Sequence, residues 1–317
     1  MKHITFFLFI TTLAFAQKQL TVLDSVTKSA VAYAAINLNN NYGIYSDANG
    51  MAIITDTLVN NVTISSIGYA DKTFALQRKM QVVYLAPKPI QLSEIIVTQA
   101  KKIKRKEQVV KPKIHQDTGA FEMSRATAQY AFLVPAAKTD TYLTAIAVPL
   151  FKIAFEAEGY PGVFEKIVFR TLVRIEILTN NNGLPGEKLN DYEQYAVITN
   201  SVNDKQFDLK LDEELPLPAN GLFVQLTILG KADENGNLSK ELPYTNVDRN
   251  GDTTIKFFKW MQPNFPLTER SKGTLTFVKF PFMENSSWQT INEPALHEQK
   301  KYPDFNIGFG YTTVSYQ

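Results

Sequence analysis

The chain has 317 residues, of which 44% are apolar, so it is long and apolar enough to form two domains with buried cores. Its 33 lysines and arginines nearly balance its 31 aspartates and glutamates, which excludes the strongly basic surface of a nucleic-acid-binding protein. It contains no cysteine, which excludes disulfides, thiol nucleophiles and thiolate metal sites.

The first residues have the pattern of a signal peptide. A basic start at Lys2 precedes an apolar run over residues 4–14, and Ala14-Phe15-Ala16 forms an Ala-x-Ala cleavage site before Gln17. The run is too short for a membrane-spanning helix, and no later apolar run is long enough. We therefore expect residues 1–16 to be a signal peptide, and the mature chain to be exported to the periplasm or cell surface without a transmembrane segment.

Residues 17–98 alternate short β-rich runs with turn residues, which predicts a small antiparallel β-sandwich of seven or eight strands. Asn49-Gly50 lies between two of these runs and predicts a β-hairpin, because both central residues of a type I′ turn need positive φ. The expected strands cover residues 18–24, 33–38, 43–47, 51–55, 62–67, 73–76, 82–85 and 92–97.

Five motifs in this region have the order and spacing of a known family: Val22-x-Asp24, Ala35-Ile36, Gly43 to Asp47-x-Asn49-Gly50, Ile64-x-x-Ile67-Gly68-Tyr69 and Leu92-x-Glu94-Ile95-x-Val97. With these motifs, the region resembles the carboxypeptidase-regulatory-like domain, a seven-stranded, transthyretin-like Greek-key sandwich. The resemblance implies a non-catalytic module. In Gram-negative bacteria of the Bacteroidota type, such modules head outer-membrane receptors and surface proteins, and elsewhere they accompany zinc carboxypeptidases.

Residues 99–118 form a basic segment in which seven lysines and arginines oppose only Glu107 and Asp117. We interpret this segment as a solvated linker or an exposed edge segment, because runs of like charge repel and extend. The alternative is a contact with an acidic surface such as lipopolysaccharide or another protein.

Residues 119–317 show further β-rich runs without sustained helical periodicity, which predicts a second, larger β-sandwich and an all-β chain. Within residues 164–178, Val173, Ile175 and Ile177 point to one face, and Arg174 and Glu176 point to the other. The expected strands cover residues 130–134, 142–150, 164–178, 195–198, 206–211 and 222–229.

The second region resembles, more loosely, the all-β domain that follows the regulatory-like module in exported Bacteroidota proteins, and it also resembles jelly-roll binding modules. The motifs that carry this resemblance are Arg174-Ile175-Glu176-Ile177, Gly183-Leu184-Pro185-Gly186-Glu187, Phe207-x-Leu209 and Leu217-Pro218-x-x-Gly221-Leu222-Phe223-Val224.

The residue inventory does not predict catalysis. A zinc hydrolase needs three protein ligands and an open position for water, whereas His115 and His297 are the two histidines of the mature chain. There is no Gly-x-Ser-x-Gly motif. We therefore expect a non-enzyme, although two carboxylates from distant strands could still serve a hydrolase.

Two turns carry carboxylate and amide oxygens at alternate positions, the pattern that calcium prefers. One contains Asp248, Asn250 and Asp252, and the other is Asp233-x-Asn235-Gly236-Asn237-x-Ser239-x-Glu241. Neither has the full twelve-residue loop with glycine at its sixth position, and turn formation alone explains both. We expect no cofactor, with calcium as the alternative.

Aromatic residues give the candidate ligand-binding site: Trp260, which ends the run Phe257-Phe258-Lys259-Trp260, together with Phe265 and Trp288. Exposed aromatic rings are platforms for sugars or protein partners, whereas buried rings are core.

The sequence thus predicts an exported, non-catalytic binding or scaffold protein that recognises an envelope protein or glycan. The alternatives are an envelope hydrolase that uses carboxylates and an accessory component of an outer-membrane receptor system.

Overall fold

The computed structural model describes residues 18–38, 41–55, 59–77, 80–88, 104–114, 121–137, 140–152, 154–156, 158–249, 253–269, 274–291 and 305–316. Every regular element in these ranges is a β-strand, which confirms the expected all-β fold. The same ranges hold no helix of the length and apolarity needed to cross a membrane. The expected signal peptide, the expected strand at residues 92–97 and both histidines of the mature chain lie outside the described residues.

The first β-sandwich packs a three-stranded sheet, in the order β4-β1-β7, against a four-stranded sheet, in the order β3-β2-β5-β6. Strands β1 and β7 run parallel, and the other pairs are antiparallel. The strands are β1 (Lys18–Asp24), β2 (Ala35–Asn37), β3 (Gly43–Tyr45), β4 (Met51–Ile54), β5 (Asn61–Ser65), β6 (Lys72–Ala75) and β7 (Gln81–Leu85).

The core of the first sandwich follows from the two-residue period of its strands. Along β1, buried and half-buried side chains alternate, which places Leu20 and Val22 between the sheets. Ile36, Ile64 and Leu85 meet them from the other strands and are also fully buried. Burial of each such side chain stabilises the fold by about 1.5–3 kcal/mol.

Two of the sequence motifs in the first sandwich meet through a hydrogen bond. The Tyr69 hydroxyl donates to Asp24 Oδ2 at 3.0 Å, and Asp24 Oδ1 accepts the backbone amides of Val26 and Thr27. The bonds from the Thr27 and Val26 amides hold the pKa of Asp24 below its ordinary value. The Asp24 carboxylate therefore links the turn that follows β1 to the turn that precedes Ala70.

The predicted hairpin at Asn49-Gly50 is wrong. Strand β3 pairs with β2, whereas β4 pairs with β1 in the opposite sheet, so this turn carries the chain from one sheet to the other. Asp47 Oδ1 accepts the amides of Asn49 and Met51, each at 2.8 Å. Gly50 has a φ of +71°, and a Cβ there would lie 2.4 Å from the Val22 carbonyl oxygen. A turn forms at the predicted place, but Gly50 has a positive φ and Asn49 does not, so it is not the expected type I′ turn, and a turn does not determine which strands pair.

The second β-sandwich packs a six-stranded sheet, β15-β14-β17-β10-β21-β22, against a four-stranded sheet, β16-β11-β24-β8, and a three-stranded sheet, β23-β20-β9. Two further hairpins are β12-β13 and β18-β19. The strands are β8 (Arg105–Val110), β9 (Phe121–Arg125), β10 (Gln129–Val134), β11 (Thr141–Pro149), β12 (Ala154–Glu156), β13 (Phe164–Lys166), β14 (Arg170–Asn181), β15 (Leu184–Thr199), β16 (Gln206–Pro216), β17 (Leu222–Lys231), β18 (Tyr244–Arg249), β19 (Thr253–Phe258), β20 (Trp260–Glu269), β21 (Thr276–Lys279), β22 (Gln289–Thr290), β23 (Phe305–Ile307) and β24 (Gly310–Tyr316).

Aromatic pairs link the layers of the second sandwich. The Phe132 and Phe309 rings stack with centroids 4.5 Å apart, and Tyr130 meets Phe265 edge-on at 4.9 Å. Rings in these arrangements contribute about 0.5–1.5 kcal/mol beyond the area they bury.

Part of the basic segment belongs to the second sandwich. Strand β8 pairs with β24 from Arg105 opposite Tyr316 to Val110 opposite Tyr311, and it forms an exposed edge of the four-stranded sheet. Residues 105–110 therefore match the exposed edge segment and not the solvated linker. Positive charge on an edge strand opposes pairing with other chains.

Candidate ligand-binding cleft between the two sandwiches

The two sandwiches meet through a cluster of aromatic and aliphatic side chains, which we call the interdomain cluster: Tyr33, Tyr45, Leu172, Leu229, Ala232 and Phe282. Its rings are close, with 5.6 Å between the centroids of Tyr45 and Phe282. The Phe282 ring lies directly on the backbone of Gly43, where a Cβ would come within 2.2 Å of the ring. Glycine in β3 therefore permits the close approach of the two sandwiches.

A buried ion network lies beneath this cluster, on the outer face of the six-stranded sheet. Arg174 Nε is 3.0 Å from Glu176 Oε2, and Gln225 Nε2 donates to the same oxygen at 2.7 Å. Glu193 and Lys188 complete the network at 3.8–3.9 Å. The sequence correctly placed Arg174 and Glu176 opposite the core-facing residues of β14, but both side chains are buried because the first sandwich covers that face.

The network sets the charge state of its members. Burial by itself lowers the pKa of Arg174, but the electrostatic interactions with Glu176, Tyr45, Glu193 and Tyr195 together more than offset this and raise the pKa above its ordinary value. Burial raises the pKa of Tyr45, whose ring lies 5.8 Å from the Arg174 guanidinium, to about 12. Arg174 is therefore a permanent cation and Tyr45 a neutral phenol at physiological pH.

Beside the interdomain cluster the two sandwiches separate and leave an open cleft of about 430 Å³. Strand β4 of the first sandwich forms one wall. The other wall consists of the beginnings of β14 and β20, the end of β17 and residues 238–243. We call these last residues, which lie between β17 and β18, the returning segment. The lining is largely apolar, with Ile44, Met51, Ile53, Leu229, Ala232, Leu238, Leu242, Pro243, Trp260 and Met261 among its members.

The returning segment is held in place at both ends. Ala232 forms a bridge to Leu238, and the amide of Ser239 donates to the Lys231 carbonyl at 2.7 Å. At its other end, Leu242 and Tyr244 pack against the core of the first sandwich. The cleft is thus bounded by a segment that touches both sandwiches.

Charged groups surround the apolar lining. Glu241 bridges two lysines, with its Oε1 2.8 Å from Lys259 Nζ and its Oε2 3.4 Å from Lys231 Nζ. The hydrogen bond from Lys259 holds the pKa of Glu241 below its ordinary value. Arg170 and Lys240 also line the cleft, and neither forms an ion pair with any carboxylate among the described residues.

Of the three aromatic residues predicted to bind a ligand, the structure brings only Trp260 to the cleft. Its side chain lines the cleft at the start of β20 and is 55% exposed. The Arg125 guanidinium lies 4.6 Å from the ring centroid, a cation–π contact that orients the indole.

The other two predicted aromatic residues lie elsewhere. The prediction that Phe265 contributes to a binding surface is wrong, because β20 turns this side chain into the core of the second sandwich, where it is fully buried. Trp288 is partly buried on the outer face of the six-stranded sheet, against a hydrophobic cluster that includes Phe223 and Phe277.

The calcium candidates have different outcomes. Asp248 lies in β18, and Asn250 and Asp252 lie outside the described residues, so that site stays a prediction. At the other turn, Asp233 Oδ1 accepts the amides of Asn235 and Asn237, which lowers the pKa of Asp233. The described residues contain no group of three or more histidines, aspartates or glutamates arranged to hold a metal ion.

Sequence reasoning missed Arg170 and Lys240, and it assigned Glu241 to a calcium turn rather than to a pair of lysines. A weak signal was present, because Lys259 and Trp260 adjoin in the aromatic run that was singled out. No local pattern shows that this run faces β4 across an interdomain cleft.

Comparison with known proteins assigns no family. No family model matches the chain, and no curated protein matches its sequence. One solved structure, a variant of the clostridial cysteine protease Cwp84 after propeptide cleavage, shares 12% identity with a TM-score of 0.33, and the match covers 66% of this chain and 40% of that one. Another contains the cysteine protease and lectin-like domains of Cwp84, a surface layer associated protein of Clostridium difficile. It shares 11% identity with a TM-score of 0.34, over 90% of this chain and 59% of that one. The chain thus spans about half the length of these structures, and TM-scores this low assign neither fold nor function.

Proposed function

We propose that this protein is an exported, non-catalytic binding protein that recognises an envelope protein or glycan through the cleft between its two β-sandwiches. The observation that carries the proposal is the placement of Trp260. A large aromatic ring that is more than half exposed lies at the rim of an apolar cleft, whereas rings such as Phe265 and Phe309 are buried. Exposed indole rings of this kind are frequent anchors in binding sites.

The size and position of the cleft support the same proposal. Its volume of about 430 Å³ lies within the range of ordinary ligand sites, roughly 300–1,000 Å³. Such sites occur preferentially where two domains meet. The interdomain cluster beside it is packed, so the walls are already in place before a ligand arrives.

We propose a non-catalytic function because the carboxylates of the described cleft lining already have partners. A hydrolase that works through two acids needs both of them free to face the substrate. Among the described lining residues, the carboxylates are those of Asp47 and Glu241. Asp47 caps its own turn, and Glu241 is paired with two lysines.

The binding proposal is tested with purified mature protein on peptide and glycan arrays. We expect Trp260→Ala to weaken binding of any captured ligand by at least about tenfold, as for other aromatic anchors in binding sites. Trp288→Ala is the matched control, because that residue lies on a sheet face away from the described cleft lining and should leave binding unchanged. Equal binding by the wild type and the folded Trp260→Ala protein would remove the cleft from the proposal.

Two further measurements test the remaining parts. Turnover of peptide or polysaccharide substrates by the mature protein, abolished by Glu241→Gln, would favour the hydrolase alternative.

For export, cell fractionation and N-terminal sequencing should find a mature chain that begins at Gln17 outside the cytoplasm. An uncleaved chain in the cytosol would contradict export.

A further inference from the structure

The charges at the rim of the cleft are unbalanced. Its described lining residues include four cations, Arg170, Lys231, Lys240 and Lys259, but only two carboxylates. The described lining of the cleft therefore carries a local excess of two positive charges.

The pairing inside the cleft identifies which cations are available. Glu241 neutralises Lys259 and part of the charge of Lys231, at 2.8 and 3.4 Å. Arg170 and Lys240 have no carboxylate partner among the described residues and are exposed. A bound ligand with negative charge can pair with these two groups without displacing an existing ion pair.

The apolar lining of the cleft indicates the chemistry of the rest of the ligand. The lining is largely apolar, and the hydroxyl of Thr171 is already bound to the Gln262 carbonyl. A sugar ring presents hydroxyl groups over most of its surface and would leave many of them without partners against such walls. An apolar amino-acid side chain gains from burial against the same walls, by about 0.8 kcal/mol per buried methylene group.

On the basis of the proposed binding function, we propose that the cleft binds an acidic peptide segment of a partner protein, with an apolar side chain between the walls and carboxylates on Arg170 and Lys240. The half-exposed ring of Trp260 provides a further contact for the apolar side chain. Electrostatic attraction at the rim accelerates association and makes binding sensitive to salt.

The test uses the mature protein and three fluorescein-labelled eight-residue peptides with a central Leu-Phe pair. The flanking residues are Asp and Glu in the acidic peptide, Asn and Gln in the neutral peptide, and Lys in the basic peptide. An oligogalacturonate provides an acidic glycan probe. Fluorescence anisotropy should show that the acidic peptide binds at least about tenfold more tightly than the neutral one. The basic peptide and the glycan should bind more weakly still.

Matched variants assign the charge effect to the cleft. Arg170→Gln with Lys240→Gln should weaken acidic-peptide binding about five- to tenfold, as expected for the loss of two partly exposed ion pairs, and should leave neutral-peptide binding unchanged. Lys205→Gln with Lys210→Gln removes two exposed charges outside the described cleft lining and should change neither.

The outcomes separate this inference from the binding function itself. Equal binding of the acidic and neutral peptides, or preference for the glycan, would overturn the acidic-peptide inference. If that binding still required Trp260, the binding function would stand. Binding of no probe by the folded wild-type protein would count against both.

Discussion

The contact between the two sandwiches has two halves that differ in how they are filled. In the closed half, the interdomain cluster packs aromatic rings over the ion network of Arg174 and Glu176. In the open half, the same two sandwiches leave a cleft of about 430 Å³ with a partly exposed Trp260 at its rim. The comparison separates two tasks, because one half holds the sandwiches together and the other leaves surface available to a ligand.

This separation has a physical basis. Domains joined by small, polar interfaces move relative to one another, whereas buried aromatic contacts restrict that motion. A cleft whose walls are already fixed loses little conformational entropy when it binds a ligand. The closed half thus prepares the open half for binding.

The largest expected effect comes from removing the ring at the centre of the closed half. Phe282 is buried against Tyr45 and the backbone of Gly43, so Phe282→Ala should lower the free energy of unfolding by about 3–5 kcal/mol, measured by urea denaturation. Phe164→Ala is the matched control, because this ring is 66% exposed and its loss should change stability by less than about 0.5 kcal/mol. Equal effects of the two changes would mean that the closed half does not hold the sandwiches together.

The next effect comes from the ion network. Glu176→Gln should cost about 3 kcal/mol, because it leaves Arg174 buried without its nearest carboxylate. The comparison variant is Glu213→Gln on the exposed face of β16, which should be close to neutral in the same urea titration. A negligible loss in Glu176→Gln would indicate that Glu193 alone compensates Arg174.

The strands of the first sandwich were predictable, because strand alternation is a local property, whereas the expected strands of the second sandwich ended at residue 229 and left out β18–β24. Leu20 and Val22 in β1, and Val173 and Ile175 in β14, face their cores as the two-residue period requires. The turn at Asn49-Gly50 was also found, but its role was not. Whether two flanking strands pair or enter different sheets depends on the rest of the sandwich.

The candidate site was predictable only in fragments. Trp260 was named from its residue type, but the same reasoning named Phe265, and nothing local to the sequence distinguishes an exposed ring from a buried one. The cleft itself combines β4 of the first sandwich with the edges of β14, β17 and β20 of the second. The burial of Arg174 was not predictable for the same reason, since a polar residue on the outer face of a strand is buried when another domain covers it.

The smallest expected effect belongs to the open half and depends on pH. The pKa of Glu241 is lowered by its hydrogen bond with Lys259, so the folded protein binds a proton at this site less readily than the unfolded chain. The stabilisation is therefore fully present above the ordinary pKa of 4.5 and is lost as the pH falls through the lowered value. Because the Glu241 side chain is 47% exposed, the pair should contribute only about 0.2–1 kcal/mol.

This small term is measured as the stability difference between the wild type and Glu241→Gln at pH 7 and at pH 3, with Glu234→Gln as the exposed control. The difference should be present at pH 7, should be smaller at pH 3, and should shrink in about 1 M sodium chloride, where the Debye length is about 3 Å. A loss as large as that of Phe282→Ala would place Glu241 among the groups that hold the sandwiches together. A small loss would mean that the ion pairs of Glu241 add little to folding.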